Sequence, residues 1–193
     1  MKDDAFIRGD RPMTKMEIRS TVIDYMVLEG ASRVLEIGAG TGSVSVQMKK
    51  LYPNIRLTVV EKTEEGCNLI EANAEKHEVE IQIIHGEAPN VLSAGMGRFD
   101  RIYVGGSGRQ LTELMSWLET YHMKAGTIIV FSVLTIESVS EIFEYITRTE
   151  SGYHDIEASQ VSASRLEKLG SYHYFKPMNP CTVIKCEYGG RHV

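Results

Sequence analysis

Apolar positions along the chain switch repeatedly between a period of two and a period near 3.6. Ile18, Val22, Tyr25 and Met26 fall on one face of a helix over 15–28, with Thr14 at its N-cap position and Glu17 three residues later, as a capping box requires. Gly30 ends that helix, and 33–37 is a buried strand. A helix over 43–51 stops before Pro53, and the β-branched run 56–60 is the second strand. The alternation continues with a helix over 64–77 and a strand over 80–84, then a strand over 99–104 and a helix over 111–121. A strand over 126–133 precedes a helix over 136–147 carried by Val139, Ile142, Phe143 and Ile146, and strands over 153–161 and 182–188 close the pattern. Strands separated by helices predict one α/β domain over residues 1–193 with a mostly parallel sheet. Between the last two strands, Tyr172–Pro177 is an aromatic loop, read either as a hairpin on the sheet edge or as a lid over a flat ligand.

The stretch Val34-Leu-Glu-Ile-Gly-Ala-Gly-Thr-Gly42 organises the rest. It reads as strand, tight turn and helix, and predicts bare backbone N–H groups and a helix N-terminus at one point, where glycine lets a ligand approach the main chain. A dinucleotide fingerprint has glycine or alanine five residues after the first glycine, but that position is Ser43. The pattern Glu36-x-Gly38-x-Gly40-x-Gly42 is similar instead to that of S-adenosylmethionine (SAM) methyltransferases, with Glu36 expected to face the crevice. Glu61, about 20 residues beyond the turn, is placed to accept hydrogen bonds from ribose hydroxyls. Gly86-Glu87-Ala88-Pro89 lies at the same rim, where Glu87 or the Ala88 backbone can meet an adenine. A second glycine-rich turn, Gly105-Gly106-Ser107-Gly108-Arg109, predicts a nest for carboxylates or phosphates, with Arg109 as an added donor.

At 193 residues the chain is long enough to bury ~70% of its unfolded surface, so neither a metal nor a disulfide framework is needed. Three cysteines without CxxC spacing and six scattered histidines predict reduced thiols, a cytoplasmic protein and no structural metal. The net charge of −5 argues against nucleic acid as the partner. No apolar run is long enough for a membrane span, and Met1-Lys-Asp-Asp4 is not a signal peptide. The Asn/Asp-Pro-Pro-aromatic motif of many amino-group methyltransferases is missing after the fourth strand, so an exocyclic base amine is not the expected target.

Pro12-Met13-Thr14-Lys15 with Glu17 and Arg19, the run from Glu36 to Ser43, Gly86 to Pro89, Val104 to Gly108, and Asn179-Pro180 together resemble the decarboxylating cobalt-precorrin-6B methyltransferases of anaerobic cobalamin synthesis. The resemblance implies a Rossmann-like class I methyltransferase fold, a mostly parallel seven-stranded sheet flanked by helices with the last strand antiparallel. It implies SAM as cofactor, held by Thr14, Gly38, Ala39, Gly40, Thr41, Gly42, Glu61 and Ala88 beside Glu36 and Glu87. It also implies a cobalt-precorrin tetrapyrrole as substrate, methylated at carbon 15, and a homotetramer. A substrate with many carboxylates wants cations and N–H donors, for which Arg8, Arg11, Lys15, the Gly105 to Gly108 nest and Arg109 are the candidates. No catalytic base is evident. The rival readings are a tRNA adenine methyltransferase, an NAD-dependent oxidoreductase and a non-catalytic SAM-binding partner protein.

Overall fold

The computed structural model describes residues 1–106, 110–148 and 152–190. Five parallel strands form the larger part of the sheet: β1 (Arg33–Ile37), β2 (Arg56–Glu61), β3 (Gln82–His85), β4 (Arg101–Val104) and β5 (Thr127–Val133). The connecting helices are α2 (Ser43–Leu51), α3 (Glu64–Lys76), α4 (Leu111–Trp117) and α5 (Ile136–Thr147), and α1 (Met16–Tyr25) precedes them. Two more strands, β6 (Tyr153–Val161) and β9 (Cys181–Tyr188), complete a seven-stranded sheet in the order β3-β2-β1-β4-β5-β9-β6. The last strand is antiparallel, as expected, but it is inserted between β5 and β6 and leaves β6 at the edge.

The strand order reverses at β1. Val34 and Leu35 are fully buried between β2 and β4, and near-continuous apolar runs in these strands meet helices on both faces. One face of the sheet, with Leu35, Ile102, Val104 and Phe131, packs on α4 and α5; the other, with Val34, Val59 and Tyr103, packs on α1 and α2. Leu118–His122 continues α4 as a π turn, which is why the helical pattern runs past Trp117. No helix among the described residues is long and apolar enough to cross a membrane.

Two expectations fail here. Thr14 is not the helix cap: Lys15 holds that position without a side-chain cap bond, and the Thr14 carbonyl accepts from the buried Arg19 guanidinium at 2.6 Å instead. Arg19 also reaches Gln47, Asp3 and the Met1 carbonyl, so it ties the N-terminal lead to α1 and α2. The aromatic stretch 172–177 is not a loop but β8 (Tyr172–Pro177), paired antiparallel with β7 (Ser164–Leu169); this is the hairpin of the first reading, formed as a ribbon outside the main sheet. Arg165 fastens that ribbon to Asp3 at 2.7 Å and to Glu17 at 2.6 Å. No ribbon residue lines the crevice described below, so the lid reading has no support in the geometry.

Candidate active site

Ile37 pairs with Val60 on one side and Val104 on the other, so the residues following β1, β2 and β4 arrive together at the carboxyl edge of the sheet. Gly86 is drawn to the same edge because its N–H donates to the Glu61 carbonyl at 2.9 Å. The resulting crevice, at the topological switch point, has Gly38 and Gly40 as its floor. Glu61 and Lys62 stand on one side, Glu87 and Ala88 on another, and Gly106 opposite. Gly38 has φ +76°, and a Cβ there would lie 3.0 Å from the Gly106 nitrogen and 3.1 Å from its oxygen. The two glycine turns therefore touch backbone to backbone.

The turn is not a cradle of free donors, which corrects the sequence reading. The Gly38 and Ala39 N–H groups both donate to the Val60 carbonyl, Gly40 N–H donates to Glu61 Oε2 at 2.9 Å, and Gly42 N–H donates to the Ala39 carbonyl. These bonds let the chain reverse sharply between β1 and α2, with Gly42 in the left-handed region at φ +73° as the helix cap. They also spend the donors an anion would need.

Glu61 is 4% exposed and is held from several sides. Besides Gly40, it accepts from the Thr63 N–H at 3.0 Å and the Thr63 hydroxyl at 2.7 Å, while Arg11 stands 3.5 Å away. Gly66 makes room for it, since a Cβ there would fall 2.5 Å from Glu61 Cγ. The Thr63 hydroxyl in turn accepts from Gly66 N–H and caps α3.

Glu36 does not face the crevice. It points to the α2 face, where it is buried and accepts from the Ser45 hydroxyl at 2.5 Å. Burial pushes its carboxyl up to about 8; the Ser45 bond opposes the shift and Glu61 adds to it. Its register partner Tyr103 is buried beside it, with the phenol 2.7 Å from Ser132 Oγ. Burial, chiefly, holds that phenol protonated far above its usual range.

Other candidates separate. Ala39 and Thr41 are buried in the turn, and Asn73 of α3 clamps it by donating to the Thr41 and Ile7 carbonyls while accepting from Ile7 N–H. Arg11 lines the cofactor crevice and faces Glu61 and Glu65, so it lies on the donor side rather than with the substrate cations. Lys15 is at the start of α1, and Arg8 lines a separate hollow with Asp3 and Arg165. Gly106 stands at the crevice and Gly105 lines the hollow beside it; Ser107, Gly108 and Arg109 lie outside the described residues. His154, Asp155 and Glu187 bring one ligand atom each to within 4.8 Å of one another, a grouping that spacing along the chain does not reveal. His154 and Asp155 are exposed, and the grouping gives no ground to assign a metal.

Sequence reasoning missed Asn73, whose signal is a polar side chain on a buried helix face, and it named Arg19 only as part of the family motif, without its structural part. It also missed Ser132 and Leu134, whose signal is that they stand at the carboxyl end of a strand beside the crevice.

A floor whose N–H groups are spent and walls that carry Glu61 and Glu87 suit a ligand with hydroxyls and positive charge, and suit a pyrophosphate poorly. SAM has that character, with ribose hydroxyls, an ammonium and a sulfonium. The sheet order and this crevice are those of the class I methyltransferase fold. Residues 4–187 match the precorrin methyltransferase domain, and the chain belongs to that family. It is 33% identical over 195 residues to the cobalt-precorrin-6B C(15)-methyltransferase (decarboxylating) of Salmonella typhimurium, covering 100% of this chain and 98% of that one. It is 34% identical over 186 residues to the probable enzyme of the same name from Pyrobaculum calidifontis, covering 94% and 92%. Among solved structures, the precorrin-6y C5,15-methyltransferase of Geobacter metallireducens superposes with a TM-score of 0.87 at 26% identity, over 97% of each chain.

Proposed function

We propose that this protein transfers a methyl group from SAM to carbon 15 of cobalt-precorrin-6B and removes the carboxyl group of the carbon-12 acetate arm, giving cobalt-precorrin-7. The names of its full-length relatives support the substrate. The observation that carries the reading is the glycine turn whose amides are satisfied internally while Glu61 closes its side.

SAM, when bound, supplies an electrophilic methyl. The protein's part is to hold and align. Glu61 keeps acceptor capacity beyond the Gly40 bond, and this is the group we assign to the ribose hydroxyls. Ala88, with Glu87, is the assigned boundary of the adenine. Gly38 and Gly40 let the ligand lie against main chain, and Thr41, Gly42, Ala39 and Glu36 act from beneath by holding the turn. Alignment and exclusion of water suffice for methyl transfer to an electron-rich ring carbon, so no strong base is needed. In the decarboxylation the carbon–carbon bond to the carboxyl breaks, its electron pair enters the conjugated ring, carbon dioxide leaves and a proton is taken up. Substrate carboxylates are assigned to the Gly105 to Arg109 turn.

The homotetramer and the cytoplasm remain parts of this proposal. Exposed Leu166, Leu169, Tyr172 and Phe175 on the β7–β8 ribbon support self-association, which sedimentation checks. The three cysteines, buried and unbridged, suit a reducing compartment. The decisive experiment is mass analysis of cobalt-precorrin-6B after incubation with the protein and SAM: one methyl gained and one carbon dioxide lost is the expected product, and an unchanged tetrapyrrole overturns the reading.

A further inference from the structure

A second cavity adjoins the cofactor crevice, and Gly106 lines both. Its walls are the ends of β4 and β5, at Val104, Phe131 and Ser132, the connecting residue Leu134, and α5 at Ser138 and Glu141. At about 330 Å³ it takes the edge of a macrocycle, not the whole ring.

The loop from β5 into α5 is built to be stiff. Thr135 caps the helix by accepting from Ser138 N–H, and its hydroxyl donates to Ser138 Oγ at 2.9 Å. That cap leaves Leu134 67% and Ile136 84% exposed, two large aliphatic side chains on either side of it with no core to enter. On the inner wall Ser132 is not free to turn, because Tyr103, itself fixed by burial, holds its hydroxyl at 2.7 Å. Glu141 puts a carboxylate on the remaining wall.

We propose that Leu134 and Ile136 form an apolar shelf for one face of the tetrapyrrole acceptor, with the reacting edge entering the cavity toward Gly106. This rests on the methyl-transfer reading above and adds to it the surface that positions the acceptor. The occupant follows from continuity: a cavity that shares Gly106 with the cofactor crevice opens where the transferred group emerges, and two exposed aliphatic chains match a flat conjugated ring. Glu141 repels acid-bearing arms from the α5 wall and so selects the orientation in which they lie toward Gly105 and Gly106.

The test is the L134S/I136S double variant. Both positions are exposed, so the unfolding temperature should stay at the wild-type value. Cobalt-precorrin-6B is titrated by absorbance into protein saturated with S-adenosylhomocysteine, and SAM is titrated separately by calorimetry. We expect roughly ten-fold or greater weakening for the tetrapyrrole, with SAM affinity unchanged. Unchanged tetrapyrrole affinity overturns the shelf, and so does an equal loss of both affinities. A wild-type protein that converts the tetrapyrrole while the double variant binds it equally well refutes only the shelf. A wild-type protein that binds no SAM refutes the functional reading itself.

Discussion

Glu61 and Gly40 are joined directly, the backbone N–H of Gly40 donating to Glu61 Oε2 at 2.9 Å, so the acid that ends β2 also holds the turn that ends β1. Removing the carboxylate leaves the Gly40 and Thr63 N–H groups without their acceptor, a cost of about 1–3 kcal/mol for each buried group left unpaired. Glu61→Ala should therefore lower stability and weaken SAM binding together, by more than roughly ten-fold in affinity. Glu61→Gln keeps one accepting oxygen and should fall between. Calorimetry with SAM on all three proteins checks this, and undiminished affinity in Glu61→Ala would remove Glu61 from the site.

Gly38 tests the contact between the two glycine turns. Alanine there must adopt φ +76°, which costs an L-residue about 1–2 kcal/mol, and must also push against the Gly106 main chain 3.0 Å away. Gly38→Ala should unfold at a lower temperature and lose both SAM and tetrapyrrole affinity, because Gly106 lines both cavities. Gly30→Ala serves as control: its φ is +75°, but nothing lies within 4 Å of the added Cβ, so it carries the backbone strain without the collision. Equal binding losses in the two variants would refute the backbone-contact argument.

The buried Glu36 predicts a pH effect on stability. Its carboxyl is raised from an ordinary value of 4.5 to about 8, so between these values the folded protein keeps a proton that the unfolded chain gives up. The contribution is fully present below pH 4.5, declines as pH rises and is gone above about pH 8, with a slope of about 1.4 kcal/mol per pH unit for a single group. Glu36→Gln removes this slope. Thermal unfolding of the two proteins between pH 5 and about pH 8 should show the wild type losing stability relative to the variant; parallel curves would mean that Glu36 is ionised in the fold.

Much of this was legible in the chain because strand and helix periods are local properties. The limits of β1, α2, α5 and β6 match the pattern residue for residue, and Glu61 and Ala88 both line the crevice. What was not legible depends on partners distant in sequence. The glycine amides looked free because their acceptors, the Val60 carbonyl and the Glu61 carboxylate, come from the next strand. Glu36 looked like a crevice residue because alternation along a strand does not say which face meets α2 and Ser45. The β7–β8 hairpin was one of two open readings, and its strand limits were not legible because exposed strands with aromatic and charged residues lack a core-facing period. Arg11 was assigned to the substrate by charge alone, whereas its nearest groups are Glu61 and Glu65.

Asp100 provides the contrasting case, a carboxylate at the end of the sheet away from the crevice. Its Oδ2 accepts from the Ser32 N–H, the Ser32 hydroxyl and the Arg33 N–H, while Oδ1 lies 2.7 Å from Lys124 Nζ. It thereby joins the start of β1 to the segments entering β4 and β5. Burial pushes this carboxyl up, but Lys124 and the Ser32 and Arg33 donors outweigh it and hold it well below its ordinary value of 3.8. A lowered carboxyl contributes stability above its unfolded value and loses it as pH falls through the folded one, so Asp100 supports the fold at neutral pH and less so in acid. Asp100→Ala strands two backbone donors and one ammonium, and should cost about 2–4 kcal/mol at pH 7. For a chain of this length that lowers the unfolding temperature by roughly 4–16 °C. The loss should shrink toward pH 3, and SAM affinity of the folded variant should equal that of the wild type. A variant with wild-type unfolding temperature would show that these bonds are matched by water in the unfolded chain, and one with weakened SAM binding would show that the two ends of the sheet are coupled.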